Sequence, residues 1–289
     1  MTPDSLRIAI ASGKGGTGKT TLAACLATLA ARRGADVTYV DCDVEAPNGH
    51  LLLDPALAGC EPVTRLVPRV DLSRCSRCGL CAQLCQFGAI LLLPGGPQMN
   101  PGLCKSCGLC AAVCPDGALA EVPHRVGEIR TGTAGPVRFV QGVLDVGQAR
   151  APAVIEAARQ RAEDGGGLVL IDAPPGASCP MVAAVQRVDL ALLVADPTPF
   201  GLADLAMAAQ ALRGLSVPAA VVINRSDLGG ERARSLAARE GLPVLGELPD
   251  SGRVARAYAA GRLEEIVREL AGSLEPVLER IFCDERVAS

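Results

Sequence analysis

Short apolar runs alternate with amphipathic stretches along most of the chain, and this pattern predicts an α/β fold. Residues 6–12, 37–40 and 167–171 form the clearest predicted strands, because each run is apolar and only a few residues long. Further strands are predicted at 190–195, 219–223 and 244–245, and helices at 21–33, 152–163, 202–213, 231–239 and 252–260. Short apolar strands between helices indicate a mostly parallel sheet covered on both faces.

The α/β pattern is interrupted between about Cys60 and Pro123. Here the sequence becomes rich in cysteine, glycine and proline, helical periodicity is weak, and one motif occurs twice. A hairpin predicted near 126–140 marks the return of the α/β pattern. We therefore predict a discontinuous α/β domain, residues 1–59 and 124–289, with a small α+β domain of residues 60–123 inserted into it.

The composition excludes several classes of protein. The 289 residues are 49% hydrophobic and 20% charged, which is enough to bury a core and argues against disorder. A net charge of −3, with two tyrosines, four phenylalanines and no tryptophan, argues against a nucleic-acid partner. No export signal is visible, and no apolar run approaches the roughly 20 residues of a membrane helix. We expect a soluble cytoplasmic protein. Its 13 cysteines indicate metal ligation rather than disulfides, especially since eight of them fall between Cys75 and Cys114.

A C-terminal helix beginning near Leu263 is the one candidate for membrane attachment. Its apolar side carries Ile266, Val267, Leu270 and Leu274, but its polar side is rich in glutamate, which anionic lipid repels. Pro276 is expected to interrupt this helix. We predict that the apolar side packs in the core, with no stable membrane anchor.

A glycine-rich loop follows the first strand and opens the first helix. Gly13, Gly18, Lys19 and Thr20 match the spacing G-x-x-x-x-G-K-[ST] of a phosphate-binding loop. Backbone amides and the helix N-terminus bind phosphate in such loops, while the lysine reaches the β- and γ-phosphates and the threonine ligates Mg²⁺. The residues assigned to the nucleotide here are Gly13, Gly15, Gly16, Thr17, Gly18, Lys19, Thr20 and Thr21. The loop therefore predicts binding of ATP or GTP.

The scarcity of lysine and the positions of three aspartates suggest further residues of the nucleotide site. The chain has only three lysines, and two of them, Lys14 and Lys19, lie in the loop, which suggests that a compact ammonium is needed there. Asp41, Asp43 and Asp172 follow apolar strands. Phosphoryl transfer needs Mg²⁺ and a positioned water, so carboxylates are expected at such strand ends. One such aspartate more often caps a helix or stays in solvent, but three are harder to dismiss.

The inserted segment carries the spacing C-x2-C-x2-C-x3-C twice, and Pro115 follows the second copy. This is the bacterial ferredoxin pattern, in which the fourth cysteine of each copy ligates the other cluster. We therefore predict two [4Fe–4S] clusters, the first held by Cys75, Cys78, Cys81 and Cys114, and the second held by Cys104, Cys107, Cys110 and Cys85. Two zinc sites are the alternative, although these are usually built from separated cysteine pairs. Gln86 departs from the pattern, which has proline at that position.

Several of these segments together resemble the MinD-superfamily ATPases, a MinD/ParA-like class with a deviant Walker A loop, that carry an inserted ferredoxin domain. The segments are 14–20, 41–48, 172–176, 179–180, 197–199, Asn224 and the doubled cysteine motif. The resemblance implies a P-loop NTPase fold and an ATP-dependent homodimer in which Lys14 reaches the partner's nucleotide. It assigns catalysis to Lys14, Lys19 and Asp43, and gives Asp43 the attacking water. It assigns Mg²⁺ to Thr20, Asp41 and Asp172, and the adenine of ATP to Asn224, Pro249 and Asp250.

The fusion of the two motifs leads to a functional prediction. We expect an ATPase in which nucleotide-dependent homodimerisation gates electron transfer through two [4Fe–4S] clusters to an unidentified partner protein. An ATP-dependent factor for iron–sulfur or metal-cofactor assembly is the alternative. Cys179 resembles the cluster ligand of the nitrogenase iron protein, and both a functional role and an inert buried thiol remain open for it. No ligand-like spacing involves the remaining four, and they are predicted to be small core or surface residues: Cys25, Cys42, Cys60 and Cys283.

Overall fold

Strands and helices alternate through most of the chain, as the apolar pattern predicts. The structure, a computed structural model, describes residues 5–163 and 166–283. The strands are β1 (Leu6–Ala11), β2 (Val37–Asp41), β3 (Ala56–Val70), β4 (Ile90–Leu93), β5 (Gly96–Met99), β6 (Leu119–Ala134), β7 (Val137–Leu144), β8 (Leu168–Asp172), β9 (Leu190–Ala195), β10 (Ala219–Asn224) and β11 (Val244–Leu248). The helices are α1 (Lys19–Arg32), α2 (Gly49–Leu53), α3 (Leu80–Leu84), α4 (Leu109–Ala112), α5 (Ala151–Glu163), α6 (Cys179–Val185), α7 (Pro199–Gly214), α8 (Gly230–Arg239), α9 (Gly252–Ala259) and α10 (Leu263–Cys283).

The larger sheet is mostly parallel. Its strand order is β11-β10-β9-β1-β8-β2-β7-β6-β3. In parallel pairing, β1 lies between β8 and β9, and β2 lies between β8 and β7. Strands β2, β8 and β9 are buried along their whole length. The prediction of a mostly parallel sheet is confirmed, and its geometry brings the carboxyl ends of β1, β2 and β8 to one edge.

The first and last helices complete the core beside this sheet. Helix α1 is rich in alanine, and ten of its side chains from Lys19 to Ala31 are buried. Helix α10 packs against α1 and β11, and its Ile266, Val267 and Leu274 are fully buried. The prediction that this helix packs in the core is therefore confirmed. Within the described part of the chain, no helix combines the length and the hydropathy needed to cross a membrane.

Pro276 does not interrupt α10, contrary to the sequence-based expectation. The helix continues to Cys283 with the proline inside it. Proline costs a helix one backbone hydrogen bond and strains the preceding turn. Beyond it, Val277, Leu278 and Ile281 are at most 1% exposed. Burial of these three side chains in the core offsets the local cost.

The chain forms two compact units. The described parts of Met1–Glu61, Ile129–Val143 and Ala151–Ser289 make up the α/β unit. Pro62–Glu128 and Leu144–Arg150 make up the cysteine unit. The chain passes from the first unit to the second within β3 and returns within β6. The cysteine unit thus contains a segment beyond the predicted 60–123 range.

That additional segment is tied to the cysteine unit by a local network. The Asp145 amide donates to the Val126 carbonyl at 3.0 Å. Arg125 Nε donates to the Asp145 carboxylate at 2.9 Å. These contacts join two residues of β6 to a residue that directly follows β7.

The two copies of the cysteine motif share one backbone conformation. Arg77 and Ser106 lie between the first two cysteines of each copy, and both have a left-handed backbone, with φ of 61° and 56°. Gly79 and Gly108 precede α3 and α4 with φ of 80° and 72°, a region that favours glycine. A small hydrophobic core of Cys81, Ile90 and Leu119 lies within this unit.

Candidate functional site

The glycine-rich loop joins β1 to α1 at the carboxyl edge of the sheet. Gly18 has φ of 99° and occupies the N-cap position of α1. A Cβ atom added there would come within 2.6 Å of the Asn224 side-chain nitrogen, so only glycine fits. The first amides of a helix have no intrahelical carbonyl partners and form a ready site for phosphate. The local fold therefore presents the amides that the motif predicts.

These amides face a cavity of about 470 Å³ in the α/β unit. The predicted site residues that line it are Gly15, Gly16, Gly18, Lys19, Thr20, Thr21, Asp43, Asn224, Pro249 and Asp250. Tyr258 and Val254 of α9 also line it, beside Pro249 and Asp250. The cavity thus brings the loop together with the two segments predicted to bind the base. The other predicted residues of this site, Gly13, Lys14, Thr17, Asp41 and Asp172, lie outside the cavity wall.

Asp41 and Asp172 lie side by side at the ends of β2 and β8. They are direct partners in the register of the two strands, and both are fully buried. Asp41 Oδ2 accepts from the Gly49 amide at 2.9 Å and from Gln141 Nε2 at 3.3 Å. Asp172 Oδ2 accepts from the Tyr39 hydroxyl at 3.0 Å. Two buried carboxyl groups therefore meet directly beside the phosphate loop.

Burial dominates the protonation of this pair. It raises the pKa of Asp41 to about 8, and the neighbouring Asp172 adds to the effect. It raises the pKa of Asp172 to about 6, against the opposing influence of the Thr20 hydroxyl and Lys19. Burial also lowers the pKa of Lys19, although the three nearby aspartates raise it. Such a pair is stabilised in its ionised form by a cation.

Two orphaned polar atoms indicate what this site is built to hold. Thr17 Oγ1 and Asp172 Oδ1 are among the six buried side-chain atoms of the described residues that have no hydrogen-bond partner. A buried polar atom without a partner is costly and calls for a ligand or an ion. Phosphate oxygens accept from hydroxyls, and carboxylate oxygens are preferred ligands of Mg²⁺. The residues present therefore fit a magnesium nucleotide.

Lys14 points to a different neighbour from Lys19. Its ammonium lies 2.9 Å from Asp196 Oδ2 and donates to the Thr198 hydroxyl at 3.0 Å. Burial raises the pKa of Asp196, but the hydrogen bonds from Lys14 and the Thr198 amide outweigh it and hold this pKa below the usual value. Asp196 was not predicted from sequence, although it directly follows the apolar strand β9, much as Asp172 ends the apolar strand β8. The same rule applied to β9 identifies it.

Two other residues of the site were not predicted from the sequence. Tyr39 is fully buried, stacks on Phe139 with ring centres 5.8 Å apart, and holds Asp172 through its hydroxyl. Gln141 on β7 holds Asp41. Both residues lie within apolar strands, where sequence patterns give no signal for a polar contact.

Asn224 is a structural anchor of the loop in addition to lining the cavity. Its Nδ2 donates to the Thr17 carbonyl at 2.8 Å, and its Oδ1 accepts from the Arg225 amide at 3.0 Å. The Arg225 guanidinium lies 3.6 Å from Asp250 and 3.7 Å from Asp196. The segments predicted to bind adenine are therefore linked to one another, and their role in base binding stays a prediction.

The eight motif cysteines line two cavities in the cysteine unit. The first, of about 10 Å³, is lined by Cys75, Cys78, Cys81 and Cys114. The second, of about 290 Å³, is lined by Cys85, Cys104, Cys107 and Cys110. Each cavity combines three cysteines of one copy with the fourth cysteine of the other. This is the grouping that the ferredoxin spacing predicts, and we call the two cavities the first and second cysteine sites.

The sulfur atoms do not converge on one point. Among residues 5–163 and 166–283, no three histidine, cysteine or acidic side chains are close enough to hold a single metal ion. In a [4Fe–4S] cluster each thiolate binds a different iron, so the sulfurs surround a larger volume than they do around zinc. Backbone amides already approach two of them, since Ser106 N donates to Cys104 Sγ and Ala118 N to Cys114 Sγ, both at 3.3 Å. The role of these eight cysteines as cluster ligands stays a prediction.

The remaining cysteines lie apart from these sites. Cys25 and Cys42 are buried, and burial raises the pKa of both thiols, that of Cys25 to about 12. Cys60 is exposed. Cys179 is exposed at the start of α6, so it is not the inert buried thiol that was one of its two predicted roles. The side chain of Cys283 lies outside the described part of the chain.

Comparison with known proteins agrees with this geometry. Residues 8–264 match the family model described as the CobQ/CobB/MinD/ParA nucleotide binding domain. The chain belongs to this family. It is 37% identical over 229 residues to the uncharacterized protein MJ0578 of Methanocaldococcus jannaschii, covering 77% of this chain and 79% of that protein.

Solved structures share the fold. The septum site-determining protein MinD of Pyrococcus horikoshii, solved with Mg-ADP, superposes with a TM-score of 0.58 at 20% identity, over 97% of this chain and 98% of that one. The MinC:MinD cell division complex of Aquifex aeolicus gives a TM-score of 0.52 at 16% identity, over 93% and 96% of the two chains. The P-loop NTPase fold predicted from the loop and the strands is thereby confirmed.

Proposed function

We propose that this protein is an ATPase whose nucleotide-dependent homodimerisation gates electron transfer through two [4Fe–4S] clusters to a partner protein. One observation carries the proposal. A single chain combines a phosphate-loop cavity beside two buried carboxyl groups with two cavities that are each lined by four cysteines. The MinD relative solved with Mg-ADP supports the nucleotide half of the proposal.

In the nucleotide half, the loop amides and Lys19 hold the β- and γ-phosphates of ATP. Thr20, Asp41 and Asp172 are the ligands for Mg²⁺, which neutralises charge on the phosphates. Asp43 lines the cavity, and burial raises its pKa, which makes its carboxylate a better proton acceptor. We assign to it the water that attacks the γ-phosphorus. A P–O bond to that water forms, the bond to the β,γ-bridging oxygen breaks, and ADP and phosphate result.

Lys14 supports the homodimer. In this chain it is held by Asp196 and Thr198 and does not line its own nucleotide cavity. Phe200, two residues beyond Thr198, is 81% exposed, and an exposed aromatic side chain is typical of an interface. We assign these side chains to the dimer face, where Lys14 leaves Asp196 and reaches the partner's nucleotide. A MinD relative forms a complex with MinC, which supports a further partner protein for this chain.

In the cysteine half, the eight thiolates hold the two clusters, which when bound accept and release single electrons. The amides of Ser106 and Ala118 donate hydrogen bonds to two of these sulfurs and so help to orient them. From Asp43 the chain passes through α2 directly into β3, which leads into the cysteine unit. Loops that sense the γ-phosphate change conformation on hydrolysis, and this path transmits such a change.

An assembly role is the second candidate, and the exposure of Cys78 and Cys107 favours it. Ligands that solvent reaches release a cluster more readily than buried ones. Under this alternative, ATP drives transfer of iron and sulfide to an acceptor protein instead of transfer of electrons.

The test begins with anaerobic purification and analysis of iron and sulfide. Reduction of a one-electron dye by the dithionite-reduced protein is then timed with ATP, with ADP and without nucleotide. We expect eight irons per chain, a dimer only with ATP, and a different dye-reduction rate in the ATP form. Lys14→Ala should keep ATP binding but lose the dimer, and its turnover should fall by about 10³-fold, the effect of a cation supplied in trans.

Lys105→Ala is a matched control, because it also removes a lysine but lies in the cysteine unit, away from the phosphate loop. It should leave the ATP-dependent dimer in place. Iron-free protein, or equal dye-reduction rates and oligomeric states with ATP and ADP, would contradict the proposal. Loss of iron to an apo-ferredoxin only with ATP would establish the assembly role instead.

A further inference from the structure

The two cysteine sites differ in the residue that follows the fourth cysteine by two positions. At the first site this residue is Asp116, whose carboxylate accepts from the Ser76 amide at 2.9 Å and the Ser76 hydroxyl at 2.5 Å. At the second site the corresponding residue is Phe87, which lines the cavity and has no polar atom to offer. The repeated backbone therefore carries a carboxylate at one site and a phenyl ring at the other.

Two arginines donate hydrogen bonds to the backbone of the second cysteine site. Arg65 Nη1 on β3 donates to the Cys104 carbonyl at 2.6 Å and to the Ser106 hydroxyl at 3.3 Å. Its other terminal nitrogen donates to the Pro101 carbonyl. Arg150, from the separate segment 144–150, donates to the same Cys104 carbonyl. Two half-buried guanidinium groups thus converge on one cluster-ligand loop.

These two cations are not neutralised by acidic partners. In the part of the chain that the structure describes, neither Arg65 nor Arg150 forms an ion pair with a carboxylate. Both guanidinium groups donate to the same Cys104 carbonyl, so their positive charges lie close together. Mutual repulsion of this kind is relieved by negative charge placed between the two groups.

The remaining charged residues at each site do not cancel the positive charge of Arg65 and Arg150. At the second site, Lys105 is exposed and adds positive charge, while Glu121 lines the cavity and subtracts one charge. At the first site, Arg74 and Arg77 are exposed, and they are offset by Asp116 and Asp71. Solvent screens exposed charges more than half-buried ones. The second site therefore has the excess of positive charge.

We propose that Arg65 and Arg150 give the second cysteine site the higher reduction potential, so that an electron entering the pair resides there. Reduction adds one negative charge, which nearby cations stabilise. The exchange is a one-electron oxidation at the first site and a one-electron reduction at the second, without transfer of atoms. The inference rests on the part of the proposed function that assigns clusters to the cysteines, and it does not depend on ATP.

The experiment is a potentiometric titration of the anaerobic, iron-loaded protein with dithionite, followed by electron paramagnetic resonance. Cys107→Ser marks the signal of the second site by changing one of its ligands. We expect two potentials, the higher one belonging to the marked signal. Arg65→Gln and Arg150→Gln should each lower the reduced-to-oxidised ratio at that site about tenfold, which equals 59 mV for one electron. Arg65→Lys, which retains the charge, should lower it less.

Arg74→Gln is the matched control, because it removes the same type of cation from the first site. It should leave the higher potential unchanged, whereas Asp116→Asn should raise the lower one. If Arg65→Gln fails to retain iron, Arg150→Gln decides the question, since its side chain holds only one carbonyl among the described residues.

Equal potentials in the wild type, a higher potential at the first site, or fully loaded arginine variants with unchanged potentials would overturn the inference. Each of these results leaves the proposed function standing. Wild-type protein that binds no iron would overturn both.

Discussion

The phosphate-loop site and the cysteine sites are constructed in opposite ways. Lys19, Asp41 and Asp172 are all buried, and each lies at the end of a parallel strand or the start of a helix in the main core. The cysteines lie mostly on loops, and only Cys81 of the eight is buried. The core around them consists of Cys81, Ile90 and Leu119 with partly buried neighbours.

The difference in burial and core size indicates what each site needs in order to form. A large core fixes the position of the nucleotide residues before any ligand binds. A small core provides little stability, and small domains of this kind usually depend on metal or disulfide links. We therefore expect the nucleotide site to be preformed and the cysteine sites to depend on their ligands.

Removal of iron should produce the largest difference in stability between the nucleotide site and the cysteine sites. Chelation under anaerobic conditions should lower hydrogen-exchange protection across residues 75–114 by roughly 10³-fold or more, because metal-binding energy is folding energy in such units. Amides of β1, β8 and β9 should keep their protection. Equal protection of both units after chelation would show that the cysteine unit folds without its ligands. Protein that is freed of chelator and loaded with iron again serves as the control.

Lys19→Ala should disable the nucleotide site without unfolding it, which tests whether that site is preformed. The ammonium contributes charge-assisted hydrogen bonds to phosphate, so its loss should weaken ATP binding roughly 100-fold, measured by calorimetry. The melting temperature in the absence of nucleotide should not fall, because burial of the lysine lowers its pKa and is itself a cost. A variant that unfolds would show that this site is not preformed independently of its lysine. Lys105→Ala, a lysine of the other unit, is the matched control.

Tyr39→Phe tests whether the buried carboxyl pair is positioned by the fold. The change removes the hydroxyl that donates to Asp172 at 3.0 Å but keeps the ring that stacks on Phe139. One hydrogen bond is worth about 1 kcal/mol, so ATP turnover at limiting Mg²⁺ should fall roughly fivefold. Turnover at saturating Mg²⁺ should change less. An unchanged Mg²⁺ dependence would remove Tyr39 from the site.

The smallest expected effect is a dependence of stability on pH. Burial raises the pKa of Asp41 to about 8 and that of Asp172 to about 6, so the folded protein binds more protons than the unfolded chain between about pH 4 and 8. Stability contributed by these groups is therefore present at low pH and is lost as pH rises through that window. Without metal or nucleotide, the melting temperature should fall by roughly a few degrees from pH 5 to pH 8.

Asp41→Asn should flatten this dependence, since an amide does not titrate. Mg-ATP should flatten it as well, because the ion stabilises the charged form of the pair. Carboxylates with lowered pKa values, such as Asp196, act in the opposite direction and only at lower pH. A melting temperature that rises with pH in the wild type would contradict the assigned protonation of the pair.

Some strands of this fold can be predicted from the sequence and others cannot, for identifiable physical reasons. Strands β8 and β9 were predicted because they are continuous apolar runs. The later part of β6 was predicted, as one arm of the hairpin near 126–140. Strand β3 and the first part of β6 were missed, since Pro62, Pro68 and Pro123 lie within them and proline in a run argues against a strand. Their burial alternates irregularly, so periodicity gave no opposing signal. The limits of the cysteine unit were placed at 60 and 123 from composition alone and miss the segment 144–150.

The sequence alone determined the features that depend on neighbours along the chain. Glycine spacing makes the phosphate loop, apolar runs make the strands, and cysteine spacing groups the thiols, because each needs only a few consecutive residues. The tertiary structure decided which distant groups meet. Lys14 contacts a hydroxyl 184 positions away, Tyr39 contacts Asp172 across 133 positions, and Arg150 reaches Cys104 across 46. No local pattern specifies such contacts, since they arise only when strand order and packing bring separate segments to one edge.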